Sequence, residues 1–278
     1  MPPDPPVSRQ NLIIGRALAI LMVAFALGVV AILALRLTAW RGVSKTVPAD
    51  TGLAEQCADL DATTLASARR TTITATDGFT LGAAETGSAT AKTVVILRHG
   101  ASQTICDWLP WAAQTSADTG ARVLLFDRRG RGSSPGTPSL TKEPADLVAA
   151  GAKEGSAGVS EVVLVASSMG NSIVYAALPD LSPQPCAVVS ISPVLLSGDS
   201  TGEVRGDALK KVVPNTWVAW ETKNPPIVRD ANAVIDAVDA AGGEAQNLDV
   251  ETADHSRQLL SKHPEVATFV REGIASCH

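Results

Sequence analysis

A serine follows an apolar run at a point where its hydroxyl could act as a nucleophile. Residues 161–173 read EVVLVASSMGNSI, so a strand-like apolar run ends in two serines and a glycine before a helix-like segment. A hydroxyl at such a junction lies at the positive end of the helix dipole, where backbone amides stabilise an anion. The pattern predicts Ser168 as the nucleophile of an acyl transfer and the Met169 amide as a donor to the oxyanion. A serine that only caps the helix is the alternative.

Small residues flank this serine on both sides. Ala166 and Gly170 stand two positions before and two positions after Ser168, which gives the pattern G-x-S-x-G with alanine in the first glycine position. In that motif the serine occupies a strained turn between a strand and a helix. The turn brings neighbouring backbone segments close together, so it has no room for large side chains. The spacing therefore indicates a strand–turn–helix unit that presents a hydroxyl.

A histidine far along the chain is the candidate base for this serine. His255 lies in the segment ADHS, after the last strand-like run. An imidazole readily accepts a proton near neutral pH, which is what activation of a hydroxyl requires. We expect His255 to take the proton of Ser168, and a histidine in a surface loop is the alternative. The other three histidines are weaker candidates for the base. His99 precedes a glycine after the third predicted strand, His263 precedes a helix-starting proline, and His278 is the last residue of the printed sequence.

These residues require a sheet whose strands end near one another. An Asp-Gly pair at 77–78 predicts a hairpin of two strands. Continuous apolar runs predict six further strands covered on both faces, and helix signals lie between them. The strands are expected at 71–76, 80–85, 93–97, 122–126, 161–166, 187–190, 216–220 and 245–250, and the helices at 145–153, 169–178, 227–241 and 263–276. We predict an α/β fold with a mostly parallel sheet of about eight strands, whose carboxyl ends carry the function.

Two further motifs follow the third and fourth predicted strands. They are LRHG at 97–100 and DRRGRGSS at 127–134, and the second matches D-x-R-G-x-G-x-S at every fixed position. Together with AxSxG they resemble the α/β-hydrolase family over about residues 71–276. The resemblance implies that fold, a second oxyanion donor from the amide of Ala101 or Ser102, and a structural role for the second motif. For LRHG the alternative is a plain glycine turn. For DRRGRGSS the alternative is a loop that cradles a phosphate.

The resemblance also implies an acid after the seventh strand. Relatives carry an aspartate in a turn similar to W-G-x-x-D-P, and the segment WETKNP at 220–225 puts Asn224 at that position. Asparagine can orient an imidazole, but it does not stabilise the imidazolium by charge. Glu221, Asp230 and Asp199 are the alternative acids. This departure supports a second hypothesis, a catalytically silent domain of this fold that binds a partner or an envelope component at the cell surface.

The composition narrows the range of partners. The chain has 28 acidic and 23 basic residues, so the basic surface that nucleic-acid binding requires is not expected. The four cysteines lack the spacing of a zinc site, and we expect neither a metal nor an organic cofactor. An even number of cysteines permits two disulfides with three connectivities, and four reduced thiols in a cytosolic domain are the alternative. The cysteines are Cys57, Cys106, Cys186 and Cys277.

An apolar stretch near the N-terminus predicts a membrane anchor. Residues 17–35 contain no charged residue and no proline, and a helix of that length spans about 28 Å, close to the hydrocarbon thickness of a bilayer. The stretch exceeds a signal-peptide core and lacks a cleavage site after it. We predict a tail at 1–16, a transmembrane helix at 17–37, a linker at 38–69 and the hydrolase-like domain at 70–278. Flanking charges leave the orientation open, and disulfides would favour an extracytoplasmic domain.

The expected substrate site has few features that would select a substrate. Residues 193–217 join the sixth and seventh strands and leave room for at most one short lid helix around 203–213, so we expect a shallow pocket. Trp108, Trp111 and Met169 are candidate lining residues, with core packing as the alternative for the tryptophans. Arg98 is a candidate partner for a substrate carboxylate, with a surface charge as the alternative.

We predict a membrane-anchored serine hydrolase that cleaves a small-molecule or lipid-like ester or thioester through an acyl-enzyme. The same scaffold also hosts perhydrolysis and carbon–carbon bond cleavage, because a fold does not determine its reaction.

Overall fold

One eight-stranded sheet organises the part of the chain that the computed structural model describes, which is residues 46–196, 209, 211–213 and 215–277. The strand order is β1-β2-β4-β3-β5-β6-β7-β8. The pairs β1–β2 and β2–β4 are antiparallel and all other neighbours are parallel. The strands are β1 Ala68–Thr74, β2 Thr80–Thr86, β3 Thr93–Arg98, β4 Arg122–Phe126, β5 Glu161–Ser167, β6 Ala187–Ile191, β7 Thr216–Glu221 and β8 Gln246–Val250.

The central strands are buried on both faces, as their continuous hydrophobicity predicts. In β3, Val94 and Ile96 pack into one core cluster and Val95 and Leu97 into the other. The eight-stranded, mostly parallel sheet is confirmed, and each expected strand is present with small shifts at its ends. Because successive side chains of a strand point to opposite faces, such a sequence stays out of water only between two layers of helices.

Helices cover the two faces of the sheet. Helices α4, α5 and α6 contribute side chains to the core on one face, and α1, α3, α7 and α8 to the core on the other. The helices are α1 Leu53–Gln56, α2 Ala62–Ala66, α3 Ile105–Thr119, α4 Glu143–Ser156, α5 Gly170–Ala177, α6 Pro225–Ala240, α7 Arg257–Lys262 and α8 Pro264–Ala275.

Helix α3 has no counterpart among the expected helices. Its start is a capping box, in which the Thr104 amide donates to Asp107 Oδ2 at 2.9 Å, and it ends at Gly120 with a φ of 72°. Pro110 lies inside the helix. Because proline usually breaks a helix, the sequence pattern did not predict one here. Burial of Trp108 and Leu109 against the sheet compensates for the lost backbone hydrogen bond.

The segment expected as a linker is partly folded onto the domain. Residues 46–69 include α1, α2 and the start of β1, and a disulfide joins Cys57 to Cys106 of α3. Gln56 Nε2 also donates to Asp127 Oδ2 at 2.7 Å. Leu53 and Cys57 also lie in one of the two core clusters, so this segment packs against the domain that was expected to begin at residue 70.

All four cysteines are paired. Cys57 joins Cys106 with a Cα–Cα distance of 5.3 Å, and Cys186 joins Cys277 with a Cα–Cα distance of 5.6 Å. One of the three connectivities that the sequence allowed is thus present.

The expected transmembrane helix at 17–37 and most of the expected lid segment lie outside the described residues. Within the described residues, no helix is both long and apolar enough to cross a bilayer.

Candidate active site

Ser168 occupies a sharp turn between β5 and α5. Its φ is 54°, a left-handed conformation that costs a non-glycine residue about 1–3 kcal/mol. The turn is held in place because the Ser168 amide donates to the Ile191 carbonyl at 3.0 Å. A Cβ on Gly170 would lie 2.0 Å from the Arg98 carbonyl oxygen, so only glycine fits there. The strand–turn–helix unit expected around this serine is therefore present.

The imidazole of His255 lies between the serine and a carboxylate. His255 Nε2 is 2.9 Å from Ser168 Oγ, and His255 Nδ1 is 2.6 Å from Glu221 Oε1. Because a carboxylate only accepts, Nδ1–H donates to Glu221, and this leaves the Nε2 lone pair free to accept from the serine. The His255 side chain is 36% exposed while that of Glu221 is fully buried. The arrangement can move a proton from the serine to the imidazole and stabilise the cation that forms.

Glu221 holds its position through its second oxygen. It is the last residue of β7, and its Oε2 accepts a hydrogen bond from Ser192 Oγ at 2.6 Å. Ser192 follows β6, the strand next to β7. A buried carboxylate that is hydrogen-bonded at both oxygens keeps its orientation toward the imidazole.

Among the described residues, the first-ranked acid position, Asn224, makes no hydrogen bond to the His255 imidazole. It is the N-cap residue of α6, and its Nδ2 donates weakly to Glu221 Oε1 at 3.5 Å. Asp230 is engaged elsewhere, because its Oδ2 accepts from the Leu195 amide at 2.8 Å. Asp199 lies outside the described residues. Of the four residues considered for the acid, Glu221 contacts His255.

The loop after β3 comes close to Ser168. A Cβ on Gly100 would lie 3.1 Å from the Cβ of Ser168. Arg128 Nη1 holds the loop by donating to the Ala101 carbonyl at 2.8 Å. Within the described residues, the amides of Ala101 and Met169 have no protein acceptor. Both expected oxyanion donors thus lie in the two segments next to the hydroxyl.

The residues just before this loop point inward. The Arg98 side chain is fully buried and pairs with Glu143, which also binds Arg128. Arg98 is therefore neither the surface charge nor the substrate partner considered for it. His99 is also fully buried, and burial together with the charge of Arg98 lowers its pKa to about 3. His99 is consequently neutral at physiological pH. The two residues that precede the loop, Arg98 and His99, are thus both buried in the protein interior.

The DRRGRGSS segment builds a turn beneath the site, as the resemblance implied. Asp127 is buried and accepts from the Ser133 amide at 2.7 Å and from the Ile105 amide at 2.8 Å. Burial raises the pKa of this carboxyl, while those hydrogen bonds act in the opposite direction. The turn connects β4 to the start of α3 and so supports the loop that precedes α3.

The tryptophans considered for the pocket belong mainly to the core. Trp108 is fully buried, and its Nε1 donates to Gln103 Oε1 at 2.9 Å. Trp111 packs edge-on against it, with ring centroids 5.6 Å apart. Met169 is 7% exposed. Core packing, the alternative for both tryptophans, is what the structure shows for Trp108.

Three polar residues around the site were not anticipated. They are Gln103, Ser192 and Ser256, each at the carboxyl edge of the sheet. Ser192 and Ser256 have positive φ values of 46° and 60°. A small polar residue directly after a strand or beside a candidate histidine was the available signal, but it is common in loops.

In the described part of the chain, no cluster of three or more potential metal ligands is present.

The family of the chain follows from a comparison of its sequence with family models. Residues 94–272 match the model described as the alpha/beta hydrolase family. The chain belongs to the alpha/beta hydrolase family. That membership identifies the protein as a hydrolase enzyme. No curated protein sequence is significantly similar to it.

Solved structures share the fold at low sequence identity. An esterase from Pyrococcus furiosus has a TM-score of 0.61 at 15% identity, over 83% of this chain and 96% of that one. A hyperthermophilic esterase from Pyrobaculum calidifontis has a TM-score of 0.62 at 13% identity, over 84% and 93% of the two chains. A Xanthomonas campestris protein described as a serine hydrolase without a lid has a TM-score of 0.57 at 18% identity, over 74% and 94%.

Proposed function

We propose that this protein is a carboxylic ester or thioester hydrolase that uses Ser168, His255 and Glu221 through an acyl-enzyme. The observation that carries the proposal is the continuous set of hydrogen bonds from Ser168 Oγ through both imidazole nitrogens to Glu221 Oε1. Two of the structural neighbours are described as esterases, which agrees with the ester specificity proposed here.

In the proposed reaction, Ser168 Oγ forms a bond to the acyl carbon as its proton passes to His255 Nε2. The amides of Met169 and Ala101 stabilise the oxyanion, and Glu221 stabilises the imidazolium. Collapse of the intermediate breaks the bond to the leaving group, which takes the proton from Nε2. Water then loses a proton to Nε2, attacks the acyl carbon and releases the acid as Ser168 recovers its proton.

The reason for considering a catalytically silent domain was the amide at position 224. The carboxylate that lies beside the imidazole is Glu221, with both of its oxygens hydrogen-bonded. The imidazole therefore has a charged partner, and the amide at 224 no longer argues against catalysis. We propose the active enzyme on this ground.

We also propose that residues 17–37 anchor the enzyme in a membrane and that the catalytic domain is extracytoplasmic. The 17–35 stretch lacks charges, and the two disulfides suit an oxidising compartment. The substrate would then be a small-molecule or lipid-like ester on that side of the membrane. Fractionation of cells, followed by protease treatment of intact cells, tests both statements. Recovery of the protein in the soluble fraction would contradict the membrane anchor. Protection of the domain from the protease would contradict its extracytoplasmic location.

A fluorophosphonate probe tests the chemistry. The full-length protein in detergent should be labelled covalently and should hydrolyse p-nitrophenyl esters, and Ser168→Ala should lose both properties. Ser261→Ala, on the exposed face of α7, serves as the matched serine control and should behave like the wild type. Labelling that persists in Ser168→Ala, or a folded wild type that neither labels nor turns over esters or thioesters, contradicts the proposal.

A further inference from the structure

Three residues other than glycine have positive φ values in the described part of the chain, and all three are serines at the carboxyl edge of the sheet. They are Ser168, Ser192 and Ser256. Ser168 requires its turn to present the nucleophile, and Ser192 binds Glu221. The proposed reaction does not use Ser256, although it directly follows His255. Its φ of 60° and ψ of −121° form a backbone conformation that favours glycine.

The Ser256 hydroxyl is buried and joins two parts of the site. Ser256 is 2% exposed, and its Oγ is 2.5 Å from Ser167 Oγ, the residue just before the nucleophile. The same Oγ accepts a hydrogen bond from Gln103 Nε2 at 3.1 Å. Gln103 Oε1 in turn accepts from the Gly100 amide at 3.0 Å. The hydroxyl thus connects the nucleophile turn to the loop that carries the Ala101 amide.

The Ser256 amide reaches the third part of the site. It donates to Ser192 Oγ at 2.8 Å, and Ser192 Oγ donates to Glu221 Oε2 at 2.6 Å. Through this one residue, the nucleophile turn, the oxyanion loop, the carboxylate and the base are therefore held by hydrogen bonds. Glycine at this position would keep the amide contact and relieve the backbone strain, but it would lack the hydroxyl.

We propose that Ser256 is a positioning residue whose hydroxyl sets the oxyanion loop and the nucleophile turn relative to His255. This inference rests on the proposed hydrolase function. The hydroxyl touches neither substrate nor reacting atoms and acts through Gln103 and Ser167. Because small errors in the placement of reacting groups slow a reaction strongly, loss of the hydroxyl should lower kcat more than it changes KM.

Two variants at this position separate positioning from stability. Ser256→Ala and Ser256→Gly both lack the hydroxyl, but only glycine relieves the positive φ. We expect kcat for a p-nitrophenyl ester to fall about 10- to 100-fold in both variants, with KM changed less than about threefold. The Tm of Ser256→Gly should match or exceed that of Ser256→Ala. The control Ser261→Ala should retain wild-type kcat and Tm.

The inference is overturned if Ser256→Gly keeps the wild-type kcat, or if the change is in KM alone. It therefore remains decidable even if Ser256→Ala does not fold. These outcomes presuppose that the wild type hydrolyses the ester and that Ser168→Ala abolishes this activity. A wild type that is inactive on every ester and thioester refutes the proposed function first, and this inference with it.

A double-mutant cycle tests the route through Gln103. If the hydroxyl acts through Gln103, adding Ser256→Ala to Gln103→Ala should reduce kcat by clearly less than Ser256→Ala does in the wild type. Losses that multiply independently would refute the connection to the oxyanion loop.

Discussion

At the scale of single residues, the carboxyl group beside the His255 imidazole is the least expected part of this site. Counting back from Pro225 puts Asn224 at the place of the family's aspartate, but that residue is the N-cap of α6. Strand β7 extends to Glu221, whose side chain is directed to the imidazole and is fully buried. A longer glutamate side chain at the strand end thus reaches the place that the aspartate of the turn was expected to fill.

Replacement of Glu221 tests this assignment. Glu221→Gln keeps the shape but removes the charge and allows the wrong tautomer of His255, so we expect kcat to fall roughly 10³- to 10⁴-fold. Asn224→Ala removes only the 3.5 Å contact to Glu221 and should change kcat by less than about threefold. Steady-state hydrolysis of a p-nitrophenyl ester measures both. A larger loss in Asn224→Ala than in Glu221→Gln would return the acid role to the turn.

At the scale of elements, the site depends on how closely β3 approaches the start of α5. The Gly170 Cα faces the carbonyl oxygen of Arg98, and an added Cβ would be 2.0 Å from that oxygen. Neither backbone segment can yield easily, because β3 and β5 are paired in the sheet from Thr93 to Arg98. The small residues around Ser168 are therefore required by packing between elements as well as by the turn.

Gly170→Ala measures the importance of this approach. We expect the free energy of unfolding to fall by about 3 kcal/mol, since the clash is with backbone rather than with a movable side chain. Gly52→Ala is the matched control, because nothing lies within 4 Å of its added Cβ, and we expect it to change the free energy of unfolding by no more than about 0.5 kcal/mol in either direction. Urea unfolding followed by circular dichroism gives both values. Equal stability of the two variants would show that the two segments separate readily.

At the scale of the whole molecule, two disulfides hold the ends of the described domain to its core. Cys57–Cys106 holds the segment before β1 against α3, and Cys186–Cys277 holds the residues that follow α8 beside the start of β6. The bridges span 49 and 91 residues of sequence. Cross-links of this kind stabilise a fold mainly by restricting its unfolded chain.

Removal of the second bridge should therefore weaken the whole fold. We expect the double variant Cys186→Ser/Cys277→Ser to lose about 2–5 kcal/mol of unfolding free energy. Urea unfolding of the wild type with and without a reductant provides the comparison, and a thiol assay on the unfolded wild type should find no free cysteine. Free thiols in the unfolded wild type, or a stability that is insensitive to reductant, would contradict the presence of two stabilising disulfides.

Patterns local in the sequence determined much of this protein by themselves. The eight strands, their mostly parallel arrangement and the Ser168 turn follow from continuous apolar runs and from small residues at fixed spacing, because burial and backbone sterics act over a few residues. Ser168 and His255, which lie 2.9 Å apart between Oγ and Nε2, could be named as candidates from the AxSxG spacing and the resemblance to the α/β-hydrolase family.

Only the tertiary structure decided which residues meet across the sheet. Glu221 and His255 are 34 positions apart, Ser167 and Ser256 are 89 apart, and Gln103 and Ser256 are 153 apart. Cysteine pairing, the inward direction of Arg98 and the folded segment before β1 likewise depend on neighbours that are distant in sequence. The physical reason is that a hydrogen bond or an ion pair depends on the positions of both partners, and those positions are determined by strand order and helix packing, which a local pattern does not contain.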